Sequence, residues 1–169
     1  MSDEAALRRA KRPRSILAGP YGHPFHSILV TIPIGTWTAA LVFDIVGFFA
    51  DDAKTFTTGA LWLVGIGLVG ALLAAIVGLI DLATLERGTR ARRIGLFHLA
   101  LNATAIVLFA ASFLVRMGAD RADVSVVGFV LSLLAYLLIG ASGFLGGELA
   151  YRYGVRVADE STQIAAYRH

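Results

Sequence analysis

The chain has no cysteine among its 169 residues. That excludes a disulfide framework, a covalent haem attachment and a cysteine-ligated iron–sulfur cluster within this chain, so any metal must be held by nitrogen and oxygen. Charge is scarce too: Asp, Glu, Lys and Arg make up 16% of the residues against 57% hydrophobic ones, and the mean hydropathy is +0.72. A soluble domain of this size could not bury so much apolar surface; the composition is that of an integral membrane protein. Also missing are a nucleotide-binding loop, a serine-centred hydrolase elbow and, apart from one proline kink, a transporter-like interrupted helix. These absences argue against nucleotide-driven and carrier functions. The formal charge of +3 and the pI near 9.6 could suit nucleic acid, but the basic residues flank the apolar runs. Orientation in a bilayer accounts for them, and no nucleic-acid partner is expected.

What the chain does contain is four apolar runs, at about 26–49, 59–82, 94–115 and 124–150, each close to the ~20 residues that a helix needs to cross a bilayer. The expected fold class is all-α, an integral membrane four-helix bundle. Residues 1–18, with Arg8, Arg9, Lys11, Arg12 and Arg14, read as a basic, mobile cytoplasmic tail attracted to anionic headgroups. Residues 19–157 form the transmembrane domain and 158–169 a polar C-terminal tail. Arg8-Arg9 is a poor twin-arginine signal, and the first apolar run is longer than a signal-peptide core, so no cleavage is expected. The N-terminal tail, the middle loop and the C-terminal tail hold twelve of the fifteen Lys and Arg residues. Both termini are therefore expected in the cytoplasm, in a bacterial inner membrane.

Helical periodicity places the polar groups. Pro33 removes a backbone donor and predicts a kink near Leu29 to Pro33. His26, Val30, Pro33, Trp37, Ala40 and Asp44 share one face, which should point into the bundle because lipid penalises an imidazole or a carboxylate. In the second run Gly67, Gly70, Ala74 and Gly78 form a small-residue stripe leading to Asp81, suited to close helix packing, whereas Gly59 at the membrane edge should tolerate a larger side chain. His98 and Asn102 share a face of the third run. Tyr136, Gly140, Gly143 and Gly147 share one of the fourth, which ends at Glu148. No internal repeat is strong enough to claim, although two hairpins of similar length invite comparison.

With this topology His23, His26, Asp81, His98 and Glu148 all fall near one membrane boundary. Three imidazoles and two carboxylates supply enough ligands for a Zn, Fe or Mn site; His26 and His98, with His23, Asp81 or Glu148, could hold such a metal ion or a non-covalent b-type haem, with Asn102 behind them. Asp44 lies five turns from His26, ~27 Å at a 5.4 Å pitch, and should stay outside that site. The bland alternatives are that the histidines only tie helices together, that Asp81 caps its helix or pairs with Arg87 or Arg90, and that Trp37 and Trp62 simply pack.

The segments Gly22-His23-Pro24-Phe25-His26, Leu29-Val30, Pro33-Ile34-Gly35, Asp44, Gly78 to Asp81, His98 with Asn102, and Gly146-Gly147-Glu148-Leu149 with Tyr151 to Val155 resemble the bacterial membrane family known as domain of unknown function 2231, over roughly residues 20–157. The resemblance implies a compact four-helix membrane domain. Some relatives are joined to Rieske-type iron–sulfur domains, which implies a redox setting and a redox partner protein beside the lipid bilayer. Relatives often carry histidine where this chain has Tyr153. The function expected first is a metal- or haem-binding, redox-associated membrane module. A membrane-embedded metal hydrolase acting on a lipid-like substrate, and a purely structural subunit, are the alternatives, with homo-oligomerisation and enzymatic activity left open.

Reporter fusions after Asp52 and after Arg90 test the topology: they should report opposite sides of the membrane, and agreement would refute the four-span count.

Overall fold

The computed structural model describes residues 3–11, 19 and 23–168; expectations placed on Arg12, Arg14, Gly22 and His169 lie outside the described residues. The described elements are α1 (Asp3–Lys11), α2 (Phe25–Leu29), α3 (Thr31–Gly47), α4 (Lys54–Thr84), α5 (Arg90–Gly118), α6 (Val126–Gly147), a π-helical turn (Glu148–Arg152) and α7 (Glu160–Ala165). Four helical stretches, Phe25–Gly47, Lys54–Thr84, Arg90–Gly118 and Val126–Arg152, are long and apolar enough to span a membrane. No strand occurs among the described residues. In hydrocarbon the helix satisfies every backbone group internally, which is why uninterrupted apolar runs take this form. The flanks supply the stops: Thr89 accepts from the Arg92 amide and Ser125 from the Gly128 amide, each an N-cap. The kink expected from Pro33 is a break at Val30, which separates α2 from α3.

The helices run up, down, up, down. The α3–α4 and α5–α6 hairpins pack tightly, and α4–α5 and α3–α6 close the ring. Helices α3 and α5 thus stand on a diagonal, and their facing side chains fill the centre. Trp37 stacks on Phe109 at 3.8 Å with the rings 13° apart, and its indole N–H donates to the Val64 carbonyl at 3.3 Å. Trp62 instead faces outward with the other lipid-facing apolar residues.

The end of the bundle near Gly47 and Gly118 is closed by charge. Arg116 donates to both oxygens of Asp44, at 2.7 and 2.5 Å, in a bidentate pair. The two side chains are 4% and 0% exposed. Ser112 accepts from the Arg116 Nε at 3.1 Å and donates to the Gly128 carbonyl at 2.7 Å. Arg116, one residue past the apolar run at about 94–115, is therefore part of α5 and of the core. An apolar span carries it because its charge is neutralised where lipid cannot reach.

The second span's small-residue stripe behaves as expected. A Cβ at Gly70 would stand 2.6 Å from Ile32 Cγ2, and one at Gly78 would stand 3.0 Å from the His26 ring. One expectation needs correction. Gly59 is not tolerant, because the Phe43 ring lies against it. On the shared face of α6 a Cβ at Gly140, Gly143 or Gly147 would meet nothing within 4 Å.

The terminal segments also differ from the expected loose tails. The N-terminal segment forms α1, whose Arg9 pairs with Glu86 at the end of α4. The chain beyond α6 folds back, with the Val155 amide on the Leu149 carbonyl at 2.9 Å and the Arg156 amide on the Ala10 carbonyl at 3.0 Å. Helix α1, the 85–89 loop and the segment after α6 thus meet at one end of the bundle, here termed the basic end.

Two stability outcomes follow, both read as thermal midpoints in detergent. Gly70→Leu should lower the midpoint well below that of Gly35→Leu, whose Cβ has open space; equal midpoints would remove the packing argument. Asp44→Ala should cost about 3–5 kcal/mol by leaving the Arg116 charge buried and alone, and the double change Asp44→Ala with Arg116→Met should recover much of that.

Candidate functional site

At the basic half of the bundle the core gives way to a cavity of about 410 Å³. It runs from Trp37 and Pro33 at the centre, past His26 and His98, to Asp81 and Arg156. Its volume lies within the ~300–1,000 Å³ of small-molecule and cofactor sites.

The two histidines enter it by the same local device. His26, on α2, places its Nδ1 2.9 Å from the Ala74 carbonyl of α4. His98, on α5, places its Nδ1 2.9 Å from the Ser142 carbonyl of α6. A carbonyl only accepts, so each Nδ1 is the donor, and in the neutral form of each ring Nε2 is the nitrogen with the lone pair. One helical turn beyond each acceptor a glycine lies beside the ring: Gly78 at His26, where a Cβ would press on it, and Gly146 at His98, where a Cβ would reach ordinary contact. A Cβ at Gly146 would stand 3.4 Å from the His98 Cε1. The break at Val30 and Pro33 lets α2 set His26 at its own angle to α3.

The rings face each other across the diagonal with centroids 6.2 Å apart and planes at 83°. Asn102 secures the second ring from behind, donating to the His98 carbonyl at 2.8 Å and to the Ser142 Oγ at 2.6 Å. Ser142 Oγ also lies 2.9 Å from the His98 Nδ1. Asn102 thus touches the His98 backbone and the Ser142 hydroxyl beside its ring.

The other expected members are not brought into this pair. His23 is exposed, and neither it nor Glu148 lines the cavity. Glu148 pairs instead with Arg152 at 3.3 Å. Asp81 does line the cavity, but Arg156 donates to its Oδ1 through Nε at 2.8 Å and Nη2 at 2.5 Å, so its partner is neither Arg87 nor Arg90. Among the described residues no three or more His, Asp or Glu side chains form a group that could hold a metal ion. The five-ligand cluster therefore reduces to two facing imidazoles. The physical reason is that each carboxylate is paired with a cation, Glu148 with Arg152 one turn on and Asp81 with Arg156 from the segment after α6. Asp44 stays outside, as expected, paired with Arg116 at the far end.

Two contributors were missed from sequence. Ser142 sits one turn before Gly146, a spacing that marks it only once His98 is known to pack there. Arg156 carries no local signal, since it reaches Asp81 across 75 residues through a reversal of the chain.

The repetition is more than shared direction. Parallel helices in contact keep a constant offset, so the 72 residues between Asp44 and Arg116 recur for His26 with His98 and Trp37 with Phe109. What that offset does not require is that each hairpin should carry a histidine bonded to a carbonyl of its second helix, with a glycine one turn on. Each hairpin thus carries the same kind of histidine-to-carbonyl tie between its two helices.

Comparison with curated proteins and with solved structures gave no match. A family model described as predicted membrane protein, DUF2231, matches residues 22–159, which takes in all four spans and both histidine devices; the chain belongs to that family.

Proposed function

We propose that this chain is a redox module of the bacterial inner membrane that holds a b-type haem between His26 and His98, its basic end in the cytoplasm. The observation that carries this reading is the pair of imidazoles, each fixed through Nδ1 with Nε2 free, 6.2 Å apart at a cavity. With metal–imidazole bonds of about 2.0–2.1 Å and a ring centroid about 1.1 Å behind each nitrogen, two imidazoles on opposite sides of one metal stand about 6.3 Å apart. Crossed ring planes are compatible with such sharing.

The ligand count separates the chemistries. A catalytic zinc site takes three protein ligands and a water, whereas a porphyrin brings four nitrogens of its own and asks the protein for two. The hydrolase alternative would also need a carboxylate free to act as a base, and Asp81 and Glu148 are both ion-paired. A purely structural clasp accounts for the hydrogen bonds but gives no reason for the adjoining space. The Asn102–Ser142 arrangement fixes the orientation of His98, the kind of support that outer partners give to metal-bound imidazoles. A haem held by two histidines supplies one-electron transfer. The twelve basic residues of the flanking segments support the cytoplasmic placement of the basic end, where a redox partner protein would dock.

The purified protein should show a Soret band and one haem per chain. His26→Ala and His98→Ala should each abolish the low-spin spectrum while the protein still inserts, and His23→Ala and His169→Ala should leave it unchanged. A colourless protein with stoichiometric zinc would overturn the reading in favour of the hydrolase.

A further inference from the structure

The basic end of the cavity carries a feature that two imidazoles do not explain. The Arg156 side chain is only 6% exposed. Its Nε and Nη2 are spent on Asp81, and its Nη1 is buried with no hydrogen-bond partner among the described residues. A guanidinium has five N–H donors in a rigid fork, and a buried charged donor left without an acceptor is costly. Arginine 156 also lines the cavity.

The backbone is strained to bring it there. Arg156 has φ +61°, the left-handed region that a residue with a Cβ rarely occupies, just after Gly154 at φ +64°. The reversal is held by the Val155 amide on the Leu149 carbonyl and the Arg156 amide on the Ala10 carbonyl. A left-handed arginine and an unused buried donor at the same residue make an outlier from which function is properly inferred.

The local charges admit an anion. Asp81 neutralises Arg156, and Glu86 is taken by Arg9. Arg92 then remains, with its Nη1 on the Leu82 and Leu85 carbonyls at 3.2 and 2.9 Å. Leu82 and Leu85 both line the cavity, so Arg92 leaves a positive excess beside its basic end. The rest of the lining is mostly apolar: Val30, Ile106, Ile139 and Leu149 among others.

We infer that the ligand of this cavity is an amphipathic acid, with its apolar body between the histidines and a carboxylate on Arg156 Nη1. This deepens the haem reading and rests on it: the acid is a propionate-type carboxylate of the porphyrin. Arg156 is then an anchoring residue that sets which edge of the ligand faces the basic end, and Asp81 holds its guanidinium in place.

The test uses wild-type protein produced without a haem supply and titrated in detergent with haemin and with haemin dimethyl ester, in which both acids are masked. The free acid should bind about 10- to 100-fold more tightly than the ester, the range of a hydrogen bond to a charged group. Arg156→Gln should erase that preference while the low-spin spectrum from the two histidines persists. Because this change leaves Asp81 unpaired, the double variant Asp81→Asn with Arg156→Gln is measured beside it and should show the same loss of preference in a folded protein. Equal affinity of the wild type for acid and ester overturns the carboxylate anchor and leaves the haem reading standing. Binding of neither porphyrin overturns the haem reading, and this inference with it.

Discussion

Hydrocarbon offers no hydrogen bonds, so a polar group placed in a membrane span has to be satisfied by the protein itself. In this chain that constraint decides where the buried charges and the two histidines of the spans go. Asp44 and Arg116, either of which would be prohibitive alone, meet on the bundle diagonal and bring Ser112 and Ser132 into one buried network. His26 and His98 each take a carbonyl from the neighbouring helix. Trp37 finds the Val64 carbonyl. The diagonal is thus polar at one end, aromatic in the middle and imidazole-lined at the other.

The same device built twice has a functional consequence. A single histidine tied to a neighbouring helix would be ordinary helix-to-helix glue. Two of them, one from each hairpin, stand 6.2 Å apart at one cavity, each tied through its Nδ1 to the neighbouring helix. Gly78 matters to the first of them, because a Cβ there would stand 3.0 Å from the His26 ring, whereas one at Gly146 would only reach ordinary contact with His98. The glycines of α6 that face open space play no such part, which shows that a small-residue stripe acquires meaning only from what lies against it.

Much of the candidate site was legible before the structure. Burial of His26, the His98–Asn102 relation and the exclusion of Asp44 all follow from helical periodicity and the cost of polar groups in lipid. Membership of the carboxylates was not legible, because it depended on which cation each one met. Glu148 found Arg152 on its own turn, and Asp81 found Arg156 beyond the last span. Similar depth brought these groups near one boundary, but depth does not specify direction around a helix bundle.

The sequence by itself determined the membrane class, the four helices, the inward faces and the kink at Pro33, because these depend on run length and a 3.6-residue period that any helix must obey. Only the tertiary structure decided the ring order of the helices, the edge-on approach of the two histidines, the pairing of Asp44 with Arg116 and the fold-back that brings Arg156 to Asp81. Those contacts join residues 72 and 75 positions apart. Their energies come from complementary charge and shape, not from local propensity, so no window along the chain contains them.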